Sequence, residues 1–76
     1  MPLSAELLDH VEAALPRAGE APLANAAIWD RVGRDRWGRS SVRQALTELV
    51  CQGRAVQIAV GETRPPAAWL FRRAHG

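Results

Sequence analysis

Residues 39–53 read Arg-Ser-Ser-Val-Arg-Gln-Ala-Leu-Thr-Glu-Leu-Val-Cys-Gln-Gly, and no other stretch constrains the fold as tightly. Val42, Ala45, Leu46, Leu49 and Val50 recur at i, i+3, i+4, i+7 and i+8, which draws one apolar stripe along an α-helix. A stripe of that kind has to be buried, so a helix over 40–52 is expected to lie on a core. Ser40 or Ser41 is the expected N-cap, and Ser41 with Gln44 also fits the reciprocal capping-box spacing. Gly53 stands where the chain would leave the helix through a left-handed residue. The opposite face carries Arg39, Arg43, Gln44 and Thr47. Their side chains donate to phosphates or to base edges, and two arginines near the N-terminus of a short helix suit an element whose leading end enters the major groove.

With 76 residues the chain makes one domain. A domain of this size buries only about 60% of its unfolded surface, so its few large side chains must pack well. Those are Trp29, Trp37, Trp69 and Phe71. Cys51 is the single cysteine, which excludes an internal disulfide and a cysteine-based zinc site, and it is expected as a small half-buried hydrophobe. A lone thiol without a secretory signal predicts a reducing, cytoplasmic setting, and no apolar run approaches the length of a membrane span. His10 and His75 have no metal-ligating or catalytic partner in the pattern and read as surface residues. No nucleophile–base pair, carboxylate pair or phosphate-cradling loop can be assembled, so neither an enzyme nor a cofactor site is expected.

Charge is unevenly placed. Residues 1–30 hold five acids (Glu6, Asp9, Glu12, Glu20, Asp30) against Arg17, and residues 31–76 hold nine arginines against Asp35, Glu48 and Glu62. The halves carry −4 and +6, which sum to the net +2 of the chain. Such polarity directs one surface toward a polyanion.

Ser4 is the expected cap of a first helix over 4–15, with Leu7, Leu8, Val11, Ala14 and Leu15 inward, Glu6, Asp9, Glu12 and His10 outward, and Pro16 ending it. A Gly- and Pro-containing loop over 17–22 follows and leads into Leu23-Ala24. Asn25 then caps a second helix over 26–32, with Ile28, Trp29 and Val32 buried and Gly33 closing it. In the connection Arg34-Asp35-Arg36-Trp37-Gly38, Trp37 is expected to plug the gap between two helices. Arg34 and Arg36 read equally as phosphate contacts or as a solvated loop. Ala55–Val60 alternates with period two, predicting a strand with Val56, Ile58 and Val60 facing in. A turn over 61–66 and a return strand from Ala68 to Arg72 complete a hairpin, which must lean on the helices to be stable. Trp69 is expected in the core, and only the first few and last four residues are expected to be disordered.

The segment Arg39-Ser-Ser-Val-Arg43-Gln-Ala45-Leu46-x-x-Leu49-x-x-x-Gly53 resembles the recognition helix of GntR-type winged helix-turn-helix repressors. Arg39 and Arg43 match the two arginines of that family that contact operator DNA, and Ser40 and Ser41 match its two hydroxyl residues near the helix start. The likeness covers about fifteen residues, and because winged-helix domains often place a very short strand between their first two helices, it implies one at Leu23-Ala24. The connection before this helix is three residues longer than in the family, the hairpin tip has Arg64-Pro65-Pro66 in place of a short Gly-rich loop, and no effector domain, hence no ligand control, is expected.

These readings converge on an α+β winged helix-turn-helix, three helices followed by a two-stranded β-hairpin wing. The function they imply is sequence-specific binding of double-stranded DNA by a small transcriptional regulator or repressor. Its contact residues would be Arg39, Ser40, Ser41, Arg43, Gln44 and Thr47 from the helix, with Arg64 at the wing tip and Arg72 at its base. A palindromic operator would require a homodimer. The rival expectation is a winged helix used for protein contact, such as a phage or mobile-element protein that blocks a host complex, with the acidic first helix as its surface.

Overall fold

In the computed structural model, which describes residues 4–61, 64 and 68–75, helix α1 spans Ala5–Ala14, strand β1 Leu23–Ala24, helix α2 Asn25–Val32, helix α3 Arg39–Cys51, strand β2 Ala55–Val60 and strand β3 Ala68–Arg73. The architecture is α+β, three helices against a three-stranded antiparallel sheet in the order β1-β3-β2. The expected two-stranded hairpin is therefore only part of the sheet. Leu23 and Ala24 pair with Phe71 and Leu70, covering the edge of β3 that a bare hairpin would leave open.

Each helix end has a local cause. The Ser4 hydroxyl accepts the Leu7 N–H at 3.1 Å, and α1 stops before Pro16 as its missing donor demands. The cap of α2 is Ala24 rather than Asn25, which forms the first turn with its Oδ1 buried and without a partner among the described residues. Gly33 closes α2 at φ 116°. Helix α3 starts one residue earlier than expected, with Gly38 as N-cap, and neither Ser40 nor Ser41 caps it. An extended Gly38 already places its carbonyl to accept from Val42 at 3.1 Å, so both serines fall inside the first turn. At the other end Gly53 takes φ 74°, the Gly53 N–H donates to the Val50 carbonyl and the Arg54 N–H to the Leu49 carbonyl. That pair of bonds is the Schellman arrangement.

The core is Leu7, Leu8, Val11 and Leu15 from α1 and its end, Ile28 from α2, Val42, Ala45, Leu46 and Leu49 from α3, and Ala55 and Phe71 from the sheet. All but Val50 of the apolar stripe of α3 is fully buried, and Val50 packs half-buried at its rim. Trp29 and Trp37 also pack against the core, and the Trp29 indole N–H donates to the Trp37 carbonyl at 2.7 Å. Trp37 thus fills the junction after α2, as its position implied.

The sheet faces the helices with the residues opposite to those expected. Directly paired residues share a face, so Ala55, Gln57 and Ala59 align with Arg73, Phe71 and Trp69. Ala55 and Phe71 belong to the core, so this row is the inner one. Val56, Ile58 and Val60, with Arg72, Leu70 and Ala68, lie on the outer face. The cause is the tight exit from α3: Gly53 and Arg54 complete the helix end, and the first residue free to extend, Ala55, is the one that lands inward. A shift of one residue exchanges the faces of a strand. The inner row also runs past the helices, which leaves Trp69 42% exposed, so it is no core residue. Cys51 is exposed as well, one position beyond the buried stripe.

The C-terminal end is ordered further than expected. The Arg73 N–H donates to the Pro16 carbonyl and the Ala74 N–H to the Arg54 carbonyl, which ties the end of β3 to the end of α1 and to the exit of α3.

Candidate nucleic-acid interface

The solvent face of α3 presents Arg39, Arg43 and Thr47 at i, i+4 and i+8, with Ser40 and Gln44 beside them, all exposed; Ser41 is half-buried. The row therefore climbs from the first turn along the helix. The Thr47 hydroxyl donates back to the Arg43 carbonyl at 3.1 Å, an i−4 bond that holds its rotamer and leaves oxygen lone pairs outward.

Ten arginines share the molecule, and most are held by internal partners. Arg54 is the centre of a cluster: its guanidinium donates to both Glu12 carboxylate oxygens at 2.9 and 2.8 Å, to Asp9 at 3.2 Å and to the Gln52 side chain at 3.2 Å. The bidentate hydrogen bonds from Arg54 hold the Glu12 carboxyl below the usual carboxylate range, against partial burial, which acts the other way. The same bonds raise Arg54 above its ordinary value. Arg73 donates to the Glu12 and Ala13 carbonyls, and Arg31 to the Ala14 carbonyl. Together they satisfy carbonyls that the last turn of α1 leaves open. Arg34 pairs with Asp30 and lies over the Trp29 ring at 4.3 Å, while Arg36 pairs with Glu6 at 2.9 Å and lies over Trp37 at 5.7 Å. In the connection between α2 and α3, then, both arginines are paired. Arg72, half-buried on the outer face of the sheet, donates to the Arg73 carbonyl at 3.1 Å.

The side chains of Arg17, Arg39 and Arg43 make no hydrogen bond, ion pair or aromatic contact among the described residues, and Arg39 and Arg43 sit on one helix face. Arg64 is exposed; the turn in which it was expected, 61–66, lies outside the described residues apart from Gly61 and Arg64 themselves. The expected set therefore divides. Arg39, Ser40, Arg43, Gln44 and Thr47 form one exposed surface, Ser41 lies at its margin, and Arg72 is on the sheet.

The acids expected to point outward from α1 do so at Glu6 and Asp9, which are exposed, while Glu12 is half-buried. Glu6, Asp9 and Glu12 each meet an arginine from elsewhere in the chain. No local signal in the sequence marks these partners, since Arg54 stands 42 residues from Glu12 and Arg73 stands 61. Beside them lies an open groove of about 480 Å³ bordered by Asp9, Glu12, Ala13, Arg54, Arg73 and His75, whose charged groups largely neutralise one another. No group of His, Cys, Asp and Glu residues among the described ones is placed to hold a metal ion, and no described helix is long and apolar enough to cross a membrane.

Comparisons with protein families, with characterised proteins and with solved structures found no match for this chain.

Proposed function

We propose that this protein is a winged-helix module that binds double-stranded DNA, with the exposed face of α3 in the major groove and the β2–β3 hairpin as a wing on the backbone. The observation that carries the reading is the sorting of the arginines. Arg31, Arg34, Arg36, Arg54 and Arg73 are engaged within the fold, whereas Arg39 and Arg43 stand exposed one turn apart without a partner among the described residues. Two unpaired guanidiniums cost nothing to redirect toward an anion, while a paired one must first lose its carboxylate. Arg43 and Gln44 are suited to base edges, and Arg39, Ser40 and the uncapped first-turn N–H groups of α3 to phosphates. Arg64 extends the same charge to the hairpin. Repression of a promoter is the regulatory role such a small reader would serve.

A gel shift on random duplex DNA at about 50 mM and about 200 mM salt, with non-specific competitor, tests the reading. Binding that weakens steeply with salt and drops when Arg39 and Arg43 are both changed to Ala is the expected result. No retardation at the lower salt, or retardation indifferent to both substitutions, overturns it.

A further inference from the structure

Strand β2 lies at an edge. Its neighbour is β3, and no described strand flanks its other side. Ala55–Val60 offers six residues of extended backbone without a charge or a proline. Soluble proteins normally protect such an edge with Lys, Pro, a bulge or a covering loop. The outer face of the same strand is apolar too: Val56 and Ile58 are half-buried, Val60 is 39% exposed, and Leu70 of β3 stands opposite Ile58. None of these side chains is in the core or packed against it.

We propose that β2 pairs antiparallel with β2 of a second copy of this chain, about a two-fold axis at Ile58. Directly opposed residues must share a face, so the paired numbers must sum to an even value. An axis at Ile58 meets that condition, setting Ile58 against Ile58, Val56 against Val60 and Gln57 against Ala59 across the seam. The β-branched row of one copy then continues into the row of the other, the side-chain pairing that favours strands most. A second copy fits this edge because the strand is its own complement. The chain carries +2 overall, yet β2 itself brings no charged residue to the seam, so self-pairing meets no like-charge contact between the two strands. The other sheet edge is β1, only two residues long, so the assembly closes as a dimer instead of growing into a filament. The axis stands perpendicular to the joined sheet and puts both helical layers on one side of it. A seam of this size buries less than the roughly 1,200 Å² of a stable interface, so the dimer is weak and concentration-dependent. None of this depends on the nucleic-acid reading.

Sedimentation equilibrium of the full chain from about 10 µM to about 1 mM covers the range in which a weak interface populates. The weight-average mass is expected to rise from 8.3 kDa toward twice that value. Ile58→Lys places two like charges face to face and should weaken association roughly tenfold or more. Val56→Glu alone and Val60→Lys alone should each weaken it, and the double variant should recover it, because each new anion then meets a new cation across the seam; Val56 is the site for the acid because Arg72 stands opposite it within the sheet. All four variants change outer-face side chains, so circular dichroism should report an unchanged fold. A monomer at every concentration, an Ile58→Lys dimer as tight as the parent, or a double variant no tighter than either single overturns the proposal.

Discussion

Glu12 does three jobs at once. Its carboxylate takes two bonds from Arg54, its backbone carbonyl takes one from Arg73, and the same carbonyl accepts the Leu15 N–H that ends α1. Its folded value lies below its unfolded one, so the native state binds fewer protons than the unfolded chain at acid pH. The resulting stabilisation is complete above the ordinary carboxylate value of about 4.3 and fades as pH falls through the lowered folded value. Thermal melts from about pH 7 to about pH 3 should therefore show a loss of stability that Glu12→Gln reduces, while lowering stability at neutral pH. An unchanged pH profile in that variant would remove Glu12 from the account. Phe71 and Trp69 make a second test at this scale, since they lie two positions apart on the inner row of one strand. Phe71→Ala should cost about 3–5 kcal/mol, a large share of what so small a domain can lose. Trp69→Ala, at a side chain 42% exposed, should cost clearly less in the same denaturant titration.

Helix α3 carries two faces with separate duties. Its buried stripe holds the core, and its exposed row makes no contact on which the fold depends. Arg39→Ala and Arg43→Ala should therefore leave the melting temperature nearly unchanged. On the proposed function, Arg43→Ala should lose about 1–3 kcal/mol of binding at a preferred duplex site and relax the preference there. Equal loss on every sequence would make Arg43 a phosphate contact instead. The exit of the helix is equally specific. A Cβ at Gly53 meets nothing within 4 Å, so the cost of Gly53→Ala is purely that of holding a side-chain-bearing residue at φ 74°. About 1–2 kcal/mol is expected by chemical denaturation, and a neutral result would mean the chain can leave α3 another way.

At the scale of the whole molecule, the split between an acidic N-terminal half and a basic remainder is an internal bond pattern before it is a surface field. Glu6 meets Arg36, Asp9 and Glu12 meet Arg54, and the carbonyls at the end of α1 meet Arg31 and Arg73. Long-range charge polarity of this kind would lead one to expect that reversing Glu6, Asp9 and Glu12 to Lys leaves the fold intact. The structure predicts the opposite. Each reversal sets like charges face to face at α1, so the triple variant should melt well below the parent and lose cooperativity. If it keeps the parent's melting temperature, the α1 pairs contribute nothing to stability, as exposed ion pairs often do not. For the same reason, that variant cannot by itself distinguish DNA binding from a protein contact made through α1, and the Arg39 and Arg43 substitutions carry the distinction.

The sequence by itself determined the elements whose causes are local. The stripe of Val42, Ala45, Leu46 and Leu49, the Ser4 cap and the stops at Pro16, Gly33 and Gly53 all follow from periodicity or from backbone restrictions at single residues. The exposed row Arg39, Arg43, Gln44 and Thr47 follows too, because a helix that buries one stripe must present the opposite one. Tertiary structure decided what depends on distant partners. It chose the inner face of β2, since the exit from α3 set the parity that hydrophobic alternation alone read the other way. It placed Trp69 at the rim, because nothing in a local window shows where the helical layer ends. It also sorted the arginines: composition counts guanidiniums, but only the packed chain reveals which of them already hold a carboxylate or a carbonyl and which remain open to an outside anion.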